Sequence, residues 1–263
     1  MAIWNDFMIG LRSYSKAIRF IREERLMRFY LTPILLNVLL FSLGFSLVGQ
    51  FSSEAVDAFE AWANPGDWEF WGASFFAGTI GFLVWLFFKL FFFLLFAFLG
   101  GYLVLILLSP LLAYLSELTE KKVLGTDYPF SFSRLVSDSI RGILIAIRNF
   151  AFELLAIVLL FLLSFIPVVG LISSPLLFLV SAYFYGFSFL DYTSERRRMK
   201  LKESVFYIRR NKGLAIANGA PFALALLVPV VGLSISGFLA IISTVAATLS
   251  ILEKEKKSKT ISA

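Results

Sequence analysis

Residues 29–50 read FYLTPILLNVLLFSLGFSLVGQ, twenty-two positions without a charged side chain. As a helix at 1.5 Å per residue this run is about 33 Å long, enough to cross a hydrocarbon core of about 30 Å. Its flanks give it a direction. Arg12, Lys16, Arg19, Arg22, Arg25 and Arg28 precede it, whereas residues 51–71 hold no Lys or Arg, five acids (Glu54, Asp57, Glu60, Asp67, Glu69) and Trp62, Trp68 and Trp71. Lysine and arginine collect on the cytoplasmic side of a bilayer and tryptophan at its interfaces. Residues 1–28 are therefore expected inside, 29–50 as the first span, and 51–71, with its Asn64-Pro65-Gly66 turn, as an outer loop.

The same reading extends along the chain. An apolar run covers 72–116, interrupted by Lys89, and ends before Lys121, Lys122, Arg134, Arg141 and Arg148; Ser109-Pro110 marks where the second span passes into an interfacial continuation. Two further apolar blocks, placed at 150–192 and 213–252, are separated by Arg196, Arg197, Arg198, Lys200, Lys202, Arg209, Arg210 and Lys212. With the tail lysines 254, 256, 257 and 259, every basic residue of the 24 except Lys89 falls on one face. Both termini are expected in the cytoplasm.

Composition agrees. The 263 residues are 59% hydrophobic and 16% charged, with a mean hydropathy of +0.84; a soluble fold is excluded in favour of one membrane domain over 1–263. The net charge of +6 is accounted for by the inner-face bias, so nucleic acid is not an expected partner. Cysteine and histidine are absent, which removes disulfides, thiol nucleophiles, Ser-His-Asp triads and the usual zinc and haem ligation. No phosphate loop of the G-x-x-x-x-G-K-[ST] type occurs, and neither an enzyme nor a cofactor is expected. The first 28 residues lack the compact apolar core of a secretory signal peptide.

Those residues are amphipathic instead. Ile3, Trp4, Phe7, Met8, Leu11, Tyr14, Ile18 and Ile21 recur at helical spacing opposite the basic residues. Two readings stand: a helix on the inner leaflet, or one packed on the protein's own hairpins.

Residues 166–171 (IPVVGL) and 228–233 (VPVVGL) repeat. Each proline and glycine pair is expected to break a helix into a hairpin, proline lacking an N–H and glycine accepting positive φ. The legs before the turns, Glu153 to Phe165 and Leu214 to Val228, are about 20 to 22 Å long, short of a full crossing. The hairpins either turn back within the membrane, where Pro167, Gly170, Pro229 and Gly232 would line a wet pathway, or they span it as six full crossings. Lys89 either faces such a path as a cation for anions or snorkels to a leaflet edge.

The order of these features resembles the CysZ-type sulfate permeases within the superfamily of etoposide-induced membrane-protein domains. It runs through Arg28-Phe29, Pro33-Ile34-Leu35-Leu36-Asn37, Ser109-Pro110-Leu111-Leu112 with Glu117 and Gly125, and the first PVVG. It continues through Asp191-Tyr192, Lys200-Leu201-Lys202-Glu203-Ser204, Arg209-Arg210-Asn211-Lys212 and Asn218-Gly219-Ala220. The resemblance implies an all-α polytopic protein of the bacterial inner membrane, with two long transmembrane helices, two partly penetrating hairpins and homo-oligomeric assembly. It also implies ATP-independent conduction of sulfate for cysteine biosynthesis. In that family an oxyanion sits at a glycine-hydrophobic-arginine-arginine turn before the first span. The matching positions here are Arg25-Leu26-Met27-Arg28, so Arg28, Leu26 and Arg25 are the candidate anion-binding residues. The competing reading is a non-transporting scaffold or lipid-organising protein of the same fold.

Overall fold

A computed structural model describes residues 2–69, 73–125, 132–197 and 199–262; Trp71, Gly72 and Arg198 lie outside them, and of Pro167 and Pro229 only the backbone is described. The described chain is all-helical: α1 (Ala2–Glu23), α2 (Leu31–Ala63), α3 (Ala73–Leu124), α4 (Phe132–Leu163), α5 (Pro167–Arg196), α6 (Leu201–Arg210), α7 (Lys212–Leu226) and α8 (Pro229–Ser262). Short 3₁₀ turns at Leu26–Tyr30 and Pro65–Asp67 precede α2 and α3. Among the described residues five helices are long and apolar enough to cross a membrane, so this is a multi-pass membrane protein. Length does not set α2 apart, because its 33 residues match the 32, 30 and 34 of α4, α5 and α8, whereas α3 has 52. The exception is α7, whose 15 residues reach about 22 Å.

Several boundaries differ from the sequence reading. Residues 51–63 continue α2 as helix and are not a loop; the helix stops at Asn64, which takes a left-handed conformation (φ 45°) while its N–H bonds the Glu60 carbonyl at 2.9 Å. Asparagine tolerates that conformation, and Pro65 prevents continuation. The run from 73 to 124 is one helix through Pro110, ending at Gly125 with φ 67°. The first hairpin begins at Phe132, so its leg is far longer than the expected segment from Glu153. Apolar counting missed residues 132–149 because their arginines interrupt hydrophobicity without interrupting helix.

The glycines of the two PVVG turns serve another purpose than positive φ, which neither adopts. Pro167 and Pro229 open α5 and α8, where a missing N–H is harmless. A Cβ on Gly170 would lie 2.7 Å from the Ser164 carbonyl oxygen, and one on Gly232 would overlap the Ala225 carbonyl. Each glycine lets the new helix start against the carbonyl end of the old one.

The bundle closes around α5 and α7. A Cβ on Gly186 would overlap the Ala215 carbonyl oxygen, and one on Gly219 the Ala182 carbonyl oxygen, so the two helices touch backbone to backbone. Around this crossing Phe187, Phe189, Leu190, Leu214 and Phe222 are fully buried. The central helix α3 packs against α2, α4 and α8, and α1 lies across α7 and α8. The helix α1 buries Ser13, Ala17 and Ile21 there while leaving Trp4, Leu11 and Ile18 at 66%, 44% and 50% exposure. Its Tyr14 hydroxyl donates to the Asn218 carbonyl, and burial pushes that hydroxyl above its ordinary range. It therefore packs on the hairpins and keeps an apolar stripe outward as well.

At the basic end, ion pairs tie distant segments together: Lys16 to Glu253 and Asp6 to Lys254, each at 2.6 Å, join α1 to α8, and Arg141 to Asp191 at 3.1 Å joins α4 to α5.

Alanine at Gly186 or Gly219 must push α5 and α7 apart and is expected to cost about 1–3 kcal/mol each. Gly78, whose Cβ would meet nothing within 4 Å, is the control. Thermal unfolding of the detergent-purified variants, followed by size-exclusion, should rank Gly78→Ala with the parent and both crossing variants well below it.

Candidate anion-binding site

The helix α1 ends at Glu23, and the chain turns at Arg25, whose φ of 55° and ψ of 34° put a non-glycine residue in the left-handed region. That conformation redirects the backbone into the 3₁₀ turn Leu26–Tyr30 and from there into α2. Leu26, 1% exposed, plugs into the core, so its side chain anchors the turn and is not available to a ligand. Phe29 packs edge-on to Tyr114 of α3 at 5.8 Å, and Tyr30 against Phe238 of α8 at 5.5 Å. Glu24 is paired with Lys122.

This framing leaves two exposed guanidiniums on one short turn. Arg25 and Arg28 both face outward, and Arg28 lies over the Phe29 ring at 5.0 Å, which limits its directions without satisfying its N–H donors. Guanidinium forks match the oxygens of sulfate and phosphate, and charge-assisted hydrogen bonds are the stronger kind. The three candidate residues thus fall on one turn, Arg25 and Arg28 exposed and Leu26 buried beneath them. The neighbouring Met27, at 58% exposure, contributes no charge.

The other expected pathway residues do not converge on the turn. Lys89 lies on an exposed face of α3 with its ammonium 4.4 Å from the centre of the Trp85 ring. The turn of the second hairpin packs through Leu226 and Leu233 at Gly100 and Gly101, about 17 Å along α3 from Lys89. The first hairpin reaches further: Gly142 faces Ser109 and Glu153 faces Tyr102, a register that carries its turn at Ser164 to about the level of Lys89. The two turns thus sit at different levels along α3.

One group escaped the sequence reading. Glu153, placed there at a hairpin entrance, is 1% exposed in mid-helix and accepts hydrogen bonds from the Tyr102 and Ser181 hydroxyls. The Tyr102 ring in turn packs on Tyr185 at 4.9 Å, and Tyr185 on Phe222 at 4.8 Å. A buried carboxyl held by two hydroxyls links α3, α4 and α5. Its signal was the helical stripe Gly142, Ile145, Ala146, Asn149, Glu153, which is visible only once α4 is extended back to residue 132.

The left-handed Arg25 yields a stability prediction. Non-glycine residues in that region cost on the order of 1 kcal/mol, so Arg25→Gly is expected to raise the melting temperature in detergent and Arg25→Val to lower it. Differential scanning fluorimetry of the three proteins checks the order.

Comparison with known proteins places this arrangement. The family described as Sulfate transporter CysZ/Etoposide-induced protein 2.4 matches residues 13–235, which include the Arg25–Arg28 turn, the first hairpin, the turn of the second and the α5–α7 crossing. The chain is 34% identical over 130 residues to the sulfate transporter CysZ of Pseudomonas fluorescens, 49% of this chain and 51% of that protein. It is 28% identical over 226 residues to the sulfate transporter CysZ of Pseudomonas aeruginosa, 85% of this chain and 88% of that protein. The matches to the P. fluorescens relatives thus span about half of their length, whereas the family match runs through most of this sequence. The chain belongs to the Sulfate transporter CysZ/Etoposide-induced protein 2.4 family.

Proposed function

We propose that this protein conducts sulfate, or a related small oxyanion, across the bacterial inner membrane without ATP hydrolysis, in the service of cysteine biosynthesis and as a homo-oligomer. The observation that carries the reading is the turn at Arg25–Arg28. Two exposed arginines stand at the entrance to the first span, inside the segment that matches a family of sulfate transporters. The function is transport and not catalysis.

The one-sided charge supports an orientation with both termini in the cytoplasm, where Arg25 and Arg28 would face the inner leaflet. With the Phe29–Tyr114 contact as the inner edge and Lys89 as the outer, α3 covers about 37 Å between them. On that scale the second hairpin turns about 20 Å from the inner edge, inside the bilayer. An unwound turn at that depth has to be covered by protein or face water. The first hairpin reaches the outer edge. Below the shorter tip, between α2, α3 and α8, Asn37 donates to the Ser234 carbonyl at 2.5 Å while its own side-chain oxygen is buried without a partner among the described residues. A polar group unsatisfied at membrane depth is costly and supports a hydrated route there. Lys89, resting on Trp85, is read as a marker of the outer interface and not as a lining of the path.

Labelled sulfate flux into liposomes containing the purified protein tests the proposal. Flux is expected, with Arg28→Ala reduced about tenfold or more, the loss of a charge-assisted contact. Absence of flux for sulfate, phosphate, selenate and chloride, from protein shown to be folded and inserted, would overturn the transport reading in favour of a scaffold.

A further inference from the structure

Two helices at the basic end do not run with the spans. Asp6 and Lys16 of α1 pair with Lys254 and Glu253 of α8, each at 2.6 Å. Ten residues of α1, about 15 Å of helix, therefore separate contacts made on adjacent residues of α8. The helix α1 crosses α8 instead of following it. Because α8 is among the helices long and apolar enough to span, a helix transverse to it lies along the membrane surface.

The level of the crossing follows from contacts inside the bundle. The Tyr14 and Ser243 hydroxyls share a hydrogen bond at 2.8 Å, so α1 meets α8 from Ser243 to Lys254. In the middle of that stretch Thr248 bonds Ser116 of α3 at 2.8 Å, two residues beyond Tyr114 and so about 3 Å past the inner edge. The helix α6 sits at the same level: Ser204 donates to Asp191 of α5, two residues before Thr193, whose hydroxyl donates to Thr248 at 3.3 Å. The two helices also meet. A Cβ on Gly213, just after α6, would overlap the Ile3 carbonyl oxygen, and Lys254 donates to both Asp6 and Asn211.

What they expose has one pattern. On α1, Trp4, Leu11 and Ile18 are exposed and recur every seven residues, which keeps them near one line of the helix. Arg12 and Arg19 follow two of them, exposed and without an ion pair among the described residues. On α6, Phe206 is exposed with the Arg210 guanidinium 4.5 Å over its ring. The acids are mostly engaged elsewhere: Lys254 holds Asp6, and Glu203 accepts the Lys200 N–H at 2.8 Å, leaving Glu23 at the last position of α1. An apolar stripe edged by arginine at this level is complementary to acyl chains on one side and to phosphate on the other.

We propose that α1 and α6 form one lipid-binding surface, selective for anionic phospholipid in the leaflet at the basic end. The apolar stripe enters the headgroup end of the acyl layer, and Arg12, Arg19 and Arg210 take the phosphates. Since α1 ends two residues before Arg25, the leaflet that holds this surface also fixes the height of the turn. The surface depends on where the membrane edge lies and not on what is transported.

Full-length protein carrying Arg25→Ala and Arg28→Ala, which removes lipid held at the turn, is placed in nanodiscs of phosphatidylglycerol and phosphatidylcholine in equal parts. Native mass spectrometry of the released protein counts the retained lipids. Phosphatidylglycerol is expected in excess, and adding Arg12→Gln and Arg19→Gln should cut that excess about tenfold or more, at roughly fivefold per arginine. Lys122→Gln, which removes a charge at the same end that is already paired with Glu24, should leave it unchanged. No excess before these substitutions, or an equal loss in Lys122→Gln, overturns the proposal. Depth is read separately. The chain has no cysteine, so a spin label on Leu11→Cys reports a single position. It should meet dissolved oxygen more than a water-soluble nickel chelate; the reverse overturns the membrane placement and leaves this face to a protein partner. Neither readout uses sulfate, so failure here is distinct from failure of transport.

Discussion

Backbone contact between α5 and α7 at Gly186 and Gly219 is the constraint on which the rest of the bundle depends. In lipid, apolar side chains gain little by leaving their surroundings, so helices associate through close packing and hydrogen bonds more than through a hydrophobic drive. Without side chains at these two positions the helices approach until carbonyl meets α-carbon. That approach brings Phe189 and Tyr185 onto Phe222, at 5.4 and 4.8 Å, and carries Tyr185 to Tyr102, which holds the buried Glu153. It also sets where α1 can lie, because α7 supplies part of the surface on which Gly10 and Tyr14 pack.

The basic end of the molecule follows a division of labour among its charges. Some cations join segments far apart in the chain, as Lys254 does with Asp6 and Asn211, and these are committed. Others make no ion pair among the described residues: Arg25 and Arg28 stay exposed on the turn that Leu26 and Phe29 anchor. A charge that no neighbour neutralises, on a scaffold that cannot relax away from it, is the physical requirement for recognising an anion.

Much of this was legible in advance, and the failures are instructive. The uncharged run from Phe29 and the gathering of arginine and lysine between apolar blocks indicated a multi-pass helical protein directly. The PVVG repeats located both hairpin turns, yet the reason for their glycines was misjudged: conformational freedom was expected and close approach to Ser164 and Ala225 was found. Residues 51–63 and 132–149 looked unlike spans because they carry charge, but a helix interrupted by charge is still a helix. Glu153 entered the sequence reading only as the start of a hairpin leg, since hydroxyls from residues 102 and 181 cannot be assigned to it along one dimension.

What the sequence determined by itself is what depends on local composition: the membrane class, the helical type, and the positions of the turns. These follow from transfer of residues between water and lipid and from the torsions of proline, which act on each segment independently of the others. Tertiary structure alone decided which side chains the ion pairs commit, how far each hairpin reaches along α3, and which carboxyl is buried. Each of those outcomes is a matter of which groups meet across the fold, as when residue 6 meets residue 254, and no local property of either partner contains that information.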